Sequence, residues 1–352
     1  MDTLRWIADE TLLYDLLGGL STTLLLIIIA ISIILLWRGA DWMIEGVVVF
    51  AERTGLPKIV IGATIVSLGT TTPEAFVSVM AAWMGNPGLA LGNGVGSIIA
   101  DTALILGITC ILARVPVDRY ILNRTGMVQV GVATLLVAIS LIAWATMPEG
   151  PVLDRWVGWL FLFLLAAYLY LTFFWSKKKS ALESSPEIQG QGEPASAIRS
   201  FFMIIGGVVL VVSGARILVP SSVEIAGRIG VPEDIIAATL VALGTSLPEL
   251  VTAIAAVRKG HPEITVGNIV GADVLNCLFV IGASAVTRPL ALTSNFFAFH
   301  FPAMLIVLFS FRAFIVINRD GWFKRWQGVW LLVIYVGYLI LQYVMNIGAA
   351  GQ

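Results

Sequence analysis

Charged residues are few in this sequence. Asp, Glu, Lys and Arg make up 12% of its 352 residues, against 58% hydrophobic ones, whereas soluble domains run at about 25% charged. A water-soluble globule is excluded. Neither sign dominates, with 21 Lys plus Arg against 22 Asp plus Glu, so the basic face that powers nucleic-acid binding is missing. Cysteine and histidine number two each. Cys110 and Cys277 lie in apolar runs, too few for a disulfide framework and, with only His261 and His300 beside them, for a four-ligand zinc site. Both thiols therefore read as buried packing. The GNGVG run (Gly92 to Gly96) follows no strand, which rules out a dinucleotide fold.

What the sequence does have is long apolar stretches. Leu16 to Trp37, Gly126 to Met147, Trp156 to Ser176, Pro289 to Phe311 and Trp326 to Gln352 carry no charge, and each is long enough to cross a hydrocarbon core of roughly 30 Å. The apolar blocks predict an all-α, multi-pass membrane protein. Its ten transmembrane helices fall near 19–50, 58–84, 88–113, 126–147, 155–175, 199–227, 233–257, 263–287, 293–317 and 325–347. With the N-terminus outside, fifteen cationic residues fall on inner connections and four (Arg5, Arg155, Arg228, Arg288) on outer ones. The positive-inside bias then puts both termini on the extracytoplasmic side of the plasma membrane. Residues 1–18 hold four acids and one Arg, unlike a secretory signal, and are expected to lie on the outer interface. Residues 176–198, rich in Lys, Ser, Pro, Gly and Glu, read as a cytoplasmic linker. It separates a first half, 19–175, from a second, 199–352.

The two halves repeat one another. A shift of 175 residues aligns GATIVSLGTTTPE (Gly62 to Glu74) with AATLVALGTSLPE (Ala237 to Glu249), and GNGVGSIIAD (Gly92 to Asp101) with GNIVGADVLN (Gly267 to Asn276), without a gap. Gly39/Gly214, Gly85/Gly260, Pro87/Pro262 and Gly107/Gly282 fall in the same register. Five spans per copy is an odd number, so the second copy enters the membrane from the opposite side. Two inverted five-helix repeats are the expected architecture, a signature of secondary transporters.

Glu74 and Glu249 stand in mid-span, where one ionised acid costs about 2.5 to 3.5 kcal/mol on insertion scales. A cation is the natural compensation. Pro73 and Pro248 precede them, so the carbonyls of Gly69 and Gly244 lose their helical amide partners and the helix bends. Thr70, Thr71, Thr245 and Ser246 add hydroxyls within a turn. A cluster of hard oxygen donors of this kind suits Ca2+ or Na+ rather than zinc or copper. Ser97 and Asp101 share one helical face, as do Ala272 and Asn276, and both faces are expected to flank the glutamates. Gly92, Gly96, Gly267 and Gly271 allow close helix approach, and Asn93 and Asn268 can hydrogen-bond between helices. Asp273 directly follows position 272 and points about 100° away on an ideal helix. It either joins the site, lines the entry path, or pairs with Arg216 or Arg38. Asp41, Glu45 and Glu224 read as packing or vestibule charges.

The duplicated GTxxPE and GNxxGS-like segments resemble the alpha repeats of the calcium/cation antiporter superfamily, most closely its prokaryotic Na+/Ca2+ exchangers. The resemblance implies ion sites built from broken helices 2, 3, 7 and 8, with helices 1 and 6 sliding against that core. Carried over by position, Thr70, Thr71, Glu74, Ser97 and Asp101 match the first repeat, and Thr245, Ser246, Glu249 and Asn276 the second, with the glutamates binding Ca2+ directly. Three departures stand out. The acid at Asp101 and the amide at Asn276 are exchanged between repeats, Ala272 replaces a usual serine, and Asp273 replaces a commonly neutral residue. The implied function is exchange of Ca2+ for Na+ by alternating access, with H+ as the alternative counter-ion. No organic cofactor is expected, and the chain is expected to work as a monomer with inorganic cations and the bilayer as its partners. A channel is disfavoured because the repeat is inverted within one chain. An intramembrane aspartyl protease is disfavoured because Asp101 and Asp273 lie in different copies without a paired catalytic context.

Overall fold

The computed structural model describes residues 16–54, 56–85, 87–147, 150–183, 197–229 and 246–350. Helices follow one another along almost all of it. In chain order they are α1 (Thr22–Thr54), α2 (Lys58–Ile61, a π-helical turn at Gly62–Val66, then Ser67–Met84), α3 (Pro87–Leu112), α4 (Arg119–Thr146) and α5 (Arg155–Glu183). After them come α6 (Ala197–Arg228), α7 (Leu247–Arg258), α8 (Pro262–Thr287), α9 (Phe296–Ile317) and α10 (Arg325–Ala350). Two short strands, β1 (Val152–Leu153) and β2 (Leu290–Ala291), pair antiparallel. Among the described residues seven helices are long and apolar enough to cross a bilayer, or eight when the bent α2 is included.

Each half ends its second helix in the same way. Gly85 and Gly260 adopt positive φ angles of 97° and 78° after α2 and α7, a conformation that only glycine enters without strain. Pro87 and Pro262 then open α3 and α8, where a missing amide proton costs nothing. Asp118 caps α4, its carboxylate accepting from the amides of Tyr120 and Ile121 at 3.1 Å. That cap starts α4 at Arg119, earlier than the apolar run alone predicts, because the run marks only the part that needs lipid. The lysine run Lys177–Lys179, expected in the linker, continues α5 to Glu183. Lysine is a good helix former. Residues 1–15, most of the linker (184–196) and residues 230–245 lie outside the described residues.

The broken-helix expectation needs correction. α2 bends by 44° between Thr72 and Glu74, as Pro73 requires, and α7 begins directly after Ser246. α3 and α8, however, run through as single helices of 26 residues. Neither has a proline inside. Each instead carries a π-helical turn, at Ala100–Ile105 in α3 and Asn276–Val280 in α8, which opens the backbone locally without ending the helix.

Two apolar clusters organise the packing. The larger joins α3, α4, α5, α8, α9 and α10; the smaller is built on α1 and α6, with parts of α2 and α7. α8 and α3 are the innermost spans, with 83% and 72% of their apolar windows buried against 28% for α1. α1 and α6 touch backbone to backbone. A Cβ on Gly39 would stand 2.8 Å from the Gly207 carbonyl oxygen, and one on Gly214 3.0 Å from that of Ser32. Position 214 is 39 shifted by 175, and 207 is 32 shifted by 175, so one contact is the image of the other. A further image shows in the extended segments: Val152 pairs with Ala291, and Pro116 with Trp322. Here 116 and 291 keep the offset of 175 while 152 and 322 differ by 170, so the register slips by five residues before the last helix of each half.

Candidate cation site

α2 and α8 cross without intervening side chains. A Cβ on Gly267 would meet the Ile59 carbonyl oxygen at 2.1 Å, one on Gly271 the Ala63 oxygen at 2.5 Å, and one on Gly62 the Ile264 oxygen at 2.6 Å. Small residues are therefore obligatory at this crossing, as expected for Gly267 and Gly271. The corresponding neighbours of Gly92 and Gly96 fall within 230–245, outside the described residues. Tyr168 of α5 donates to the Ala63 carbonyl at 3.4 Å, within the π turn of α2.

The crossing brings the predicted residues of both halves together. Glu74 and Glu249 are each 2% exposed, and Asp101, Asp273 and Asn276 1%. Glu74 feels the charges of Glu249 and Asp101, and Asp101 those of Glu249 and Asp273. Asn276 donates to Asp101 Oδ2 at 3.4 Å, so the two repeat-related positions meet at the centre. A relay of hydrogen bonds ties the halves: Thr70 donates to Asn268 Oδ1 at 3.5 Å, Asn268 Nδ2 to Thr252 Oγ1 at 3.5 Å, and Thr252 to the Glu249 carbonyl at 2.9 Å. Asn93 in turn donates to the Glu74 carbonyl at 3.4 Å and to Ser78 at 2.9 Å. Both asparagines thus clamp a glutamate-bearing helix, Asn93 through the Glu74 carbonyl and Asn268 through the Thr252 hydroxyl. Thr70 stands beside Glu249, and Ser246 beside Asp101 without completing a hydrogen bond. Thr245 lies outside the described residues.

The decisive feature is a set of unsatisfied oxygens. Buried polar atoms nearly always find a partner. Among the described residues eleven buried side-chain N or O atoms have none, and eight belong to the predicted site: Thr71 Oγ1, Glu74 Oε2, Ser97 Oγ, Asp101 Oδ1, Ser246 Oγ, Glu249 Oε2, Asp273 Oδ1 and Asn276 Oδ1. They are all hard oxygen donors. No three His, Cys, Asp or Glu side chains among the described residues converge as a metal cluster on their own, so any ion bound here needs the hydroxyl, amide and backbone oxygens as well.

Asp273 has further partners of its own. Its Oδ2 accepts hydrogen bonds from Thr102 of α3 and Gln129 of α4, so hydroxyl and amide groups hold it in place of the arginine partners considered from sequence. Thr102 and Gln129 escaped the sequence reading. Both are buried, and Gln129 stands out only as the one amide in an otherwise apolar run. The remaining charges are paired elsewhere: Lys259 reaches Glu45 at 2.7 Å and Asp41 at 3.8 Å, and Arg228 reaches Glu224 at 2.8 Å. None of the ion pairs among the described residues involves Glu74 or Glu249. Cys110 and Cys277 are free and buried, as expected.

The model of the family described as sodium/calcium exchanger protein matches residues 24–174 and 199–344, one block for each half. The chain belongs to the sodium/calcium exchanger family. Among its relatives, the sodium/calcium exchanger MaX1 of Methanosarcina acetivorans is 28% identical over 343 residues, covering 90% of this chain and 97% of that protein. The inner membrane protein YrbG of Escherichia coli is 30% identical over 333 residues, covering 93% and 98%. A solved structure of the sodium-calcium exchanger NCX_Mj, soaked with 10 mM Na+ and zero Ca2+, superposes with a TM-score of 0.75 at 26% identity over 90% of this chain and 98% of that one. Another, soaked with 2.5 mM Na+ and 10 mM Sr2+, gives 0.74. This member is a multi-pass membrane protein whose family and structural neighbours are ion exchangers.

Proposed function

We propose that this family member exchanges Ca2+ for Na+ across the plasma membrane by alternating access, with Glu74 and Glu249 holding either ion between its two halves. The observation that carries this reading is the cluster of buried, unpartnered oxygens contributed by both repeats. Thr70, Thr71, Thr245, Ser246, Ser97, Asp101 and Asn276 complete the coordination. Ca2+ takes six to eight oxygens, and two bidentate glutamates supply four. With Glu74, Glu249 and Asp101 ionised the site carries three negative charges. One Ca2+ leaves it at minus one and three Na+ neutralise it, so exchange moves net charge.

In this reading the chain has ten spans in two inverted five-helix repeats, with both termini outside. The contacts that map onto themselves under the 175-residue shift, Asp101 with Asn276 and Gly39/Gly207 with Gly214/Ser32, support a pseudo-twofold relation. The backbone-to-backbone contact of α1 with α6 supports a pair that moves as one body against the rest. The test is Ca2+ uptake into proteoliposomes driven by an outward Na+ gradient. Glu74→Gln abolishes it if the assignment is right, and full uptake by that variant refutes it. Proton coupling is the second reading, favoured by the extra carboxylate Asp273; it requires uptake driven by a pH gradient alone, without Na+.

A further inference from the structure

We propose that Asp273, Gln129 and Thr102 form a binding pocket for a monovalent alkali cation, Na+ in this protein, where α8, α4 and α3 meet beside the central site. The proposal rests on the exchange reading above, since it gives Na+ a further place on Asp273 beside the three charges of the central site.

The three side chains come from α8, α4 and α3 and are almost wholly buried, Asp273 and Gln129 at 1% exposure and Thr102 at 0%. Thr102 and Gln129 both donate to Asp273 Oδ2, and Gln129 Nε2 also lies 3.5 Å from the Thr102 hydroxyl. Two oxygens are left over. Asp273 Oδ1 and Gln129 Oε1 are both buried without a hydrogen-bond partner, on residues bonded to each other through Gln129 Nε2 and Asp273 Oδ2. An anionic and a carbonyl oxygen left bare on two bonded, buried residues call for a cation.

The repeat supplies an internal control. The positions 175 residues away from Asp273, Thr102 and Gln129 are Ile98, Cys277 and Met304, buried at 1%, 0% and 0%. The same place in the other half is thus filled by apolar side chains, so the packing of the fold does not demand a polar trio. Three polar residues from three helices are concentrated on one side only, where burying them costs most unless they bind something. Charge selects the ion. The pocket holds one carboxylate and few oxygens, which balances a monovalent cation, whereas Ca2+ would keep an uncompensated charge and fall short of its six to eight ligands. Asp273 acts electrostatically on Asp101, so a cation in this pocket offsets that repulsion and links its occupancy to the central site.

The experiment measures equilibrium binding of radioactive Na+ and Ca2+ to the full chain purified in detergent, comparing the parent with Asp273→Asn and Gln129→Met. The second variant installs the residue that the fold accepts at the related position, and gel filtration establishes that each is folded. If Asp273→Asn does not fold, Gln129→Met decides alone. The expected result is one Na+ fewer per chain at saturation in each variant, with Ca2+ still bound. An unchanged Na+ count overturns the proposal while leaving exchange intact, as does a change confined to proton release. Loss of Ca2+ together with Na+ overturns it by placing Asp273 in the central site. A parent chain that binds Ca2+ but no Na+ overturns both this pocket and Na+ coupling.

Discussion

Moving one negative charge across the centre of the site tests whether Asp101 and Asn276 act as a single pair. Asn276 Nδ2 stands 3.4 Å from Asp101 Oδ2, so Asn276→Asp would set a fourth carboxylate at that separation. Two like charges at 3.4 Å repel by about 5 kcal/mol at an effective dielectric of about 20, which corresponds to roughly three to four powers of ten in an equilibrium constant. Asn276→Asp alone is therefore expected to have almost no Na+-driven Ca2+ uptake. Asp101→Asn alone removes one of three charges, so that three Na+ no longer balance the site and the apparent Na+ affinity falls. The double variant restores both the charge and the hydrogen bond, with the amide now donating from position 101. Initial uptake rates measured against internal Na+ concentration close the cycle. The double variant should recover most of the parental rate; if it is no faster than the slower single variant, the two positions are not interchangeable and the pseudo-twofold account of the site fails.

Gly267→Ala drives a methyl group into the Ile59 carbonyl oxygen. Overpacking of this kind costs about 1 to 3 kcal/mol or more, so the Tm in detergent drops and Ca2+ binding is lost, while Gly131→Ala, with nothing within 4 Å, leaves both unchanged. Asn268→Ala cuts the relay from Thr70 to Thr252 and should lower stability by about 1 to 3 kcal/mol through unpaired buried groups, together with a weaker apparent Ca2+ affinity in radioligand titration. By contrast Lys259→Met removes a partly exposed pair with Glu45, worth under about 1 kcal/mol and screened by salt; a shift in the Na+ dependence of uptake in this variant would contradict its role as a structural charge.

The all-α, membrane-spanning character was legible because the apolar runs are long and bounded by glycine, proline or charge. The candidate site stood out because the two halves carry the same motif twice: a glutamate after a proline, with hydroxyls before it, is a pattern that neither packing nor solubility explains. What could not be read was local. The π turns in α3 and α8 begin at or next to Asp101 and Asn276, yet π and α backbone differ by one hydrogen-bond register and leave no residue signature in these runs. Lack of an internal proline keeps both helices whole, where the resemblance implied breaks. Gln129 was invisible for a different reason. It lies 144 residues from Asp273 in sequence and outside the repeated motifs, so only the packing of α4 against α8 reveals that its amide reaches the carboxylate. Asp118 shows the same limit on a smaller scale, since its cap lies beyond the apolar pattern that sets the expected boundary.

The most direct measurement is the position of the ion itself. Crystals of the full chain grown or soaked with Sr2+ in low Na+, with diffraction recorded at an energy where strontium scatters anomalously, should show one strong peak bridged by the carboxylates of Glu74 and Glu249. The peak should disappear when Na+ is raised. A peak lying away from both glutamates, or one that persists at high Na+, would contradict the claim that the two halves hold Ca2+ and Na+ in turn at a shared site.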